Sequence, residues 1–185
     1  MTFNTIKNDL SFIYKKIRDN CKDSVLDNYI FDNIINLDEF NNCSDVLIYY
    51  SINSEVDTLK LIDFCLKNNK RVFLPRCIDN MDFYLINDLN DIKIGKFNIM
   101  ESISDVNDYN NSICITPGIC FDKYFYRIGY GFGYYDKFFY NYDGIKIGIC
   151  YDKCLIDNCF HDEYDVPVDI IVTEKKILKR FKKFS

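Results

Sequence analysis

Five short apolar runs recur along this chain: DVLIYY at 45–50, KRVFL at 70–74, SICIT at 112–116, KIGICY at 146–151 and DIIVT at 169–173. Runs this short and this rich in Ile, Val and Tyr suit strands buried on both faces. Between them the pattern changes to helical spacing. Ile6, Leu10, Ile13 and Ile17 mark a helix over 5–18 with Asn4 or Thr5 as its cap, and Ser24–Ile35 marks a second. Ser54, with Asp57 three residues on, reads as the N-cap of a helix through Leu66 that presents Val56, Leu59 and Ile62; 134–140 reads as another. Parallel strands need crossovers of helix length, so this alternation constrains the chain to a layered α/β domain around a largely parallel sheet. With 185 residues, 48% of them hydrophobic, one core and one domain over 1–185 are expected. MDFYLI at 81–86 alternates like an edge strand or hairpin arm, 87–111 is a polar loop, and the basic tail KKILKRFKK reads as a solvated helix end.

Charge narrows the function. A formal net charge of −5 lacks the basic face that a nucleic-acid binder needs, so an anionic ligand must be held by local cations. No stretch approaches the ~18 apolar residues of a membrane span, and MTFNTIKNDLSF lacks the basic-then-apolar order of a signal peptide, which predicts a cytoplasmic protein. Nine cysteines without a C-x-x-C fit a reducing compartment and read as small core residues. Cys150, Cys154, Cys159 and His161 could in principle supply zinc ligands. They lack the paired knuckles of structural zinc sites, and Cys150 falls in an apolar strand.

The stretch PGICFDKYFYRIGYGFGYYD at 117–136 concentrates candidate chemistry. Gly129, Gly131 and Gly133 let a backbone turn its N–H groups onto anionic oxygens, Arg127 adds a planar cation, and Asp136 could meet a metal beside polyphosphate. The plainer reading is a glycine-rich bend between strand and helix. Arg76, at the carboxyl end of a strand, falls on the ligand side of such folds. Glu55 suits the first turn of a helix whatever else it does. Lys7, Ser11, Tyr14 and Arg18 share one helix face, which by itself reads as solvated.

P-G-x-x-F-D followed by R-I-G-x-G-x-G-Y-Y-D resembles the signature of the 5-formyltetrahydrofolate cyclo-ligase family, the methenyltetrahydrofolate synthetases. Further matches are Lys7 and Leu10 of a K-x-x-L-R helix, Glu55 in SINSEVDTLKLI, Pro75-Arg76, M-x-F at 81–83 and Val168-Asp169-Ile170-Ile171, spanning 7–174. Ser11 stands where the family has arginine, Phe132 where it has glycine or lysine, and GKFNIME lacks the family's second glycine and proline. The resemblance implies a three-layer α/β sandwich similar to sugar-phosphate isomerases and CoA transferases. It also implies a monomeric enzyme acting on small molecules, without nucleic-acid or membrane partners. Such an enzyme converts 5-formyltetrahydrofolate to 5,10-methenyltetrahydrofolate with ATP and Mg²⁺ through a phosphorylated formyl group. By the same resemblance ATP is held by Lys7, Ser11, Arg127, Ile128, Gly129, Tyr130, Gly131, Phe132, Gly133, Tyr134 and Tyr135. Folate is held by Tyr50, Glu55, Arg76, Met81, Tyr84, Tyr130 and Tyr134, and Mg²⁺ by Asp136 and Asp169, with Arg127 and Asp136 catalytic. Asp122 is either a turn former or a further site carboxylate. Three other functions compete: a non-catalytic folate- or pterin-binding paralogue, a sugar-phosphate isomerase-like enzyme on the same architecture, and a non-catalytic interaction protein, for which the sequence offers no exposed apolar stripe or disordered arm.

Overall fold

A computed structural model describes residues 3–181. Helices α1 (Phe3–Cys21), α2 (Ser24–Ile35) and α3 (Asp38–Asn42) precede β1 (Asp45–Ile48), and α4 (Leu59–Lys67) leads into a hairpin of β2 (Arg71–Cys77) and β3 (Met81–Ile86). The short strands β4 (Ile92–Ile94) and β5 (Met100–Ser102) pair with each other before β6 (Ser112–Thr116). Then come β7 (Cys120–Asp122), β8 (Arg127–Ile128), α5 (Tyr134–Phe139), β9 (Ile145–Ile149), β10 (Leu155–Ile156), β11 (Ile170–Val172) and β12 (Ile177–Lys179).

Seven strands form the central sheet in the order β12-β11-β9-β6-β1-β2-β3. The inner five are parallel, and the edges β3 and β12 are antiparallel. This is the α/β architecture around a largely parallel sheet that the alternating runs predicted and the resemblance implied. Val46, Leu47 and Ile48 of β1 are fully buried, which explains why the run is continuous and not alternating. Each such side chain contributes ~1.5–3 kcal/mol of burial free energy. Phe31 of α2 meets Phe64 of α4 edge-on at 5.6 Å, and Phe83 of β3 meets Phe138 of α5 at 4.9 Å. With only six residues, α5 relies on that packing, since so short a helix has little stability of its own.

From β1 the chain winds outward through β2, then restarts at β6 on the other side of β1 and winds outward through β9 and β11. The switch point therefore lies between β1 and β6. In open α/β sheets the crevice beyond the carboxyl ends at such a point is where ligands bind. In a second sheet, β10-β7-β8, the strands β7 and β8 follow β6 in the chain, and β8 leads into the glycine stretch.

Several expectations are corrected. The helix α1 begins at Phe3, ahead of both residues read as its cap, and continues to Cys21. Ser54 does not open a helix: 51–58 is a loop, α4 starts at Leu59, and Asp57 Oδ1 accepts the Leu59 N–H at 2.8 Å. The Ser54 hydroxyl is engaged instead by Arg18 and Asp19. Strand β2 runs on through Pro75 and Arg76, because the pairing with β1 has ended at Phe73 and the proline owes no N–H to that side. The 87–111 loop holds the β4-β5 pair. The basic tail forms β12, where Leu178 pairs with Ile171 of β11, and Lys179 reaches Glu39 at 2.7 Å. Lys182 and Lys183 lie outside the described residues. Among those described, no helix is long and apolar enough to cross a membrane.

Candidate active site

Two loops leave the switch point. The one after β1 carries Glu55, and the one after β6 carries Gly118 and then the β7-β8 hairpin. Glu55 is 5% exposed; its Oε2 accepts the Ile52 N–H at 2.9 Å and its Oε1 accepts the Tyr130 hydroxyl at 3.3 Å. Burial raises the Glu55 pKa, opposed by the Ile52 N–H, Arg18, Tyr130 and Lys22. Arg18, 2% exposed, donates to Ser54 Oγ (3.2 Å), Gly118 O (3.3 Å) and the Tyr130 hydroxyl (2.7 Å), so it bridges both loops and the glycine stretch. Just past the end of α1, Lys22 donates to the Glu55 carbonyl at 2.8 Å and also pairs with Asp27. Neither Arg18 nor Lys22 was singled out as a site residue in the sequence. The legible signal was Arg18 on the same helix face as Lys7.

The glycine stretch is open. Gly131 and Gly133 take positive φ of 88° and 66°, which glycine alone adopts without penalty, and Gly129 does not. A Cβ at any of the three would meet nothing within 4 Å. Arg127 NH2 and Asp136 Oδ2 lie 3.0 Å apart, with side chains 6% and 20% exposed. Val166 ties them further: its N–H donates to Asp136 Oδ1 at 3.1 Å, and its carbonyl accepts from Arg127 at 3.4 Å. The guanidinium also lies 5.5 Å from the Tyr135 ring and 5.3 Å from that of Phe139. Lys7 joins the same corner through Asp165 (2.5 Å) and Asp162 (3.0 Å), Asp165 being the neighbour of Val166. Burial acts against the Lys7 charge, and the two carboxylates more than offset it, so its pKa is raised.

Other expected residues divide. Tyr50 and Ser11 are half-buried, Met81 is buried, and Tyr84 is half-buried beneath the Arg76 guanidinium at 3.6 Å. The Arg76 guanidinium itself is drawn to the Ser102 and Ser104 carbonyls and Asp105, in a contact that braces β2 against the segment after β5. Phe132 is exposed and stacks with Tyr134 at 5.8 Å. The Tyr135 hydroxyl is buried with no hydrogen-bond partner, beside Phe83. That orphaned donor points to a polar ligand atom.

Asp169 is not brought to Asp136. It precedes β11 at the amino end of the parallel strands, accepts the Lys146 N–H at 2.9 Å and lies 3.6 Å from the Lys146 ammonium. Asp122 is the turn former: fully buried, it accepts N–H groups of Tyr124, Tyr126 and Cys159. His161 stacks on Tyr126 at 3.6 Å, while Cys150, Cys154 and Cys159 are buried thiols. Among the described residues no three His, Cys, Asp or Glu side chains converge to hold a metal unaided. A single carboxylate, Asp136, beside a loop open to phosphate suits Mg²⁺, which takes few protein ligands and completes its shell with phosphate and water. An open groove of about 1110 Å³, lined by Asp38, Asp82, Tyr109 and Gly144 among others, takes in Met81 but none of Glu55, Arg127, Tyr130 and Asp136.

Fold and site together fit an α/β enzyme of small molecules, with a glycine loop, a guanidinium and two carboxylates gathered near the switch point of its sheet. Residues 6–174 match the model of the 5-formyltetrahydrofolate cyclo-ligase family, and the chain belongs to that family. It is 29% identical over 199 residues to a probable 5-formyltetrahydrofolate cyclo-ligase of Schizosaccharomyces pombe, covering 94% of this chain and 97% of that one. With the 5-formyltetrahydrofolate cyclo-ligase of Haemophilus influenzae it shares 31% identity over 150 residues, 75% of this chain and 80% of the other. The NMR structure of Aquifex aeolicus 5,10-methenyltetrahydrofolate synthetase superposes with a TM-score of 0.85 at 28% identity, covering 97% of this chain and 95% of that one. The protein is thus a ligase of folate metabolism.

Proposed function

We propose that the protein converts 5-formyltetrahydrofolate and ATP into 5,10-methenyltetrahydrofolate, ADP and phosphate through a formyl group phosphorylated on oxygen. Amide resonance makes the N5-formyl carbon a poor electrophile, and direct attack by N10 would have to expel a hydroxide-like oxygen. The formyl oxygen attacks the γ-phosphorus, and ADP departs. N10 then adds to the activated carbon, the C–O bond breaks to release phosphate, and the N10 proton is lost. Both steps depend on placement and charge neutralisation and need no protein nucleophile.

Arg127 and the backbone of 129–135 hold the triphosphate, with Lys7 at the edge of that corner. Asp136 would hold Mg²⁺, which when bound would supply charge neutralisation at the phosphates. Glu55 and the Tyr135 hydroxyl orient the folate, and Tyr50, Met81, Tyr84, Tyr130 and Tyr134 form the apolar and aromatic slot that a flat pterin needs. Arg76 and Asp169 are engaged elsewhere and are left out of this assignment. One observation carries the reading: the Arg127–Asp136 pair ends a glycine loop with open space above it, and Tyr130 of that loop touches Glu55. Protein incubated with 5-formyltetrahydrofolate is expected to develop the methenyl chromophore only when ATP and a divalent cation are both added, with one ADP per methenyl formed. Product without nucleotide, or none from folded protein, contradicts the assignment.

A further inference from the structure

We propose that Arg18 is a positioning residue for this reaction: its buried guanidinium fixes the nucleotide-binding glycine loop, through the Tyr130 hydroxyl, against the Glu55 carboxylate on the folate side. The inference rests on the reading that those two elements hold the two substrates. Arg18 lies seven residues after Ser11 on the same helix, and Ser11 occupies the position where a guanidinium was expected. The cation on this face of α1 is thus supplied two turns later, at the switch point.

The hydrogen bonds run in one direction. Arg18 NH2 donates to the Tyr130 oxygen at 2.7 Å, and that hydroxyl donates to Glu55 Oε1 at 3.3 Å. The same guanidinium joins the two loops, with Nε on Ser54 beside Glu55 and NH1 on Gly118 O at the start of the other loop. Burying an arginine to 2% exposure is expensive unless its donors are used, and here each nitrogen has a partner. Two of those partners belong to substrate-binding elements 112 and 36 residues away in sequence. Groups facing Glu55 are Arg18 from α1, Lys22 just after that helix, Tyr130 from the glycine loop, Tyr49 just after β1, and Tyr135 from α5. Arg18 and Lys22 are the cations of that set. Without Arg18, the burial that raises the Glu55 pKa is less opposed, so the carboxylate would protonate at higher pH.

The test compares Arg18→Lys, Arg18→Met and Tyr130→Phe with wild type, using KM for each substrate, the pH profile of kcat/KM for folate, and calorimetric binding of 5-formyltetrahydrofolate. In Arg18→Met the folate KM is expected to rise by roughly tenfold, equivalent to about 1.4 kcal/mol, and the acid limb to move to higher pH. Arg18→Lys keeps the charge and is expected to return the acid limb toward wild type while the KM stays raised, because one ammonium cannot span three partners. Tyr130→Phe breaks the relay without removing a buried charge, and a raised folate KM there supports the proposal even where Arg18→Met does not fold. Folded variants with wild-type folate affinity and an unmoved acid limb overturn it. Wild-type protein that binds folate but makes no product would contradict the catalytic reading alone, and the calorimetric comparison would still decide the role of Arg18.

Discussion

Replacing Asp136 by asparagine separates the metal-binding role of this side chain from its structural one. Asp136 faces Arg127 at 3.0 Å in a largely enclosed corner. At an effective dielectric of about 20 the direct attraction is about 5.5 kcal/mol, most of it offset by desolvation of the two charges. Breaking a buried pair costs ~3–5 kcal/mol. Here the carboxylate is 20% exposed, and the amide oxygen can still accept the Val166 N–H, so a loss of about 1–3 kcal/mol is expected. The functional effect should be larger and of a different kind. With Asp136 neutral, Arg127 loses its internal partner and is free for phosphate, while the carboxylate that would hold Mg²⁺ is gone. Metal-free ADP should therefore bind the variant more tightly than it binds wild type, and the advantage that Mg²⁺ gives ADP binding should collapse. Titration calorimetry with ADP in EDTA and in Mg²⁺ reads both quantities, and turnover should fall by about 100-fold, ~2.7 kcal/mol in the barrier. A folded Asp136→Asn protein that keeps its Mg²⁺ advantage and turns over within a few-fold of wild type would refute the reasoning and leave Asp136 as an internal partner of Arg127.

Glu55→Gln should raise the folate KM. Because burial raises the folded pKa of Glu55 above its ordinary 4.5, its contribution to stability is fully present below the unfolded pKa and lost as pH rises through the folded one. The Tm of wild type relative to Glu55→Gln should accordingly decline from about pH 4 toward neutrality, and a difference that grows in the opposite sense contradicts this. Ser11→Arg should lower the KM for ATP by roughly tenfold with little change for folate, a charge-assisted contact being worth about 1.5–3 kcal/mol; an unchanged ATP KM would withdraw Lys7 as a nucleotide ligand with it. Phe83→Ala empties a fully buried site against Phe138 and Tyr135, so denaturation should show a loss of about 3–5 kcal/mol, and a loss under ~1 kcal/mol would mean that α5 is not held by this packing.

The strands were legible because both faces of the inner strands are covered, so DVLIYY and DIIVT read as unbroken apolar runs. The glycine stretch was legible because its order carries the family signature. What failed were features fixed by distant contacts. Ser54 and Asp57 have the spacing of a helix cap, but the Ser54 hydroxyl is claimed by Arg18 and Asp19 and the Glu55 carboxylate folds back onto Ile52, so the helix waits until Leu59. The tail read as helical until Leu178 finds Ile171 on an open sheet edge. Arg76 and Asp169 occupied plausible positions, yet their charges are drawn to the 102–105 segment and to Lys146. Arg18 was visible only as one cation on a helix face, because the tyrosine that gives it meaning lies 112 residues further on.

The phosphorylated formyl group is tested most directly by the fate of the formyl oxygen. With 5-formyltetrahydrofolate carrying ¹⁸O in its formyl group and unlabelled ATP and water, the label is expected in the released phosphate, one atom for each methenyltetrahydrofolate formed. Label recovered in water, with unlabelled phosphate, would contradict it, because the formyl oxygen would then have left without ever having been bonded to phosphorus.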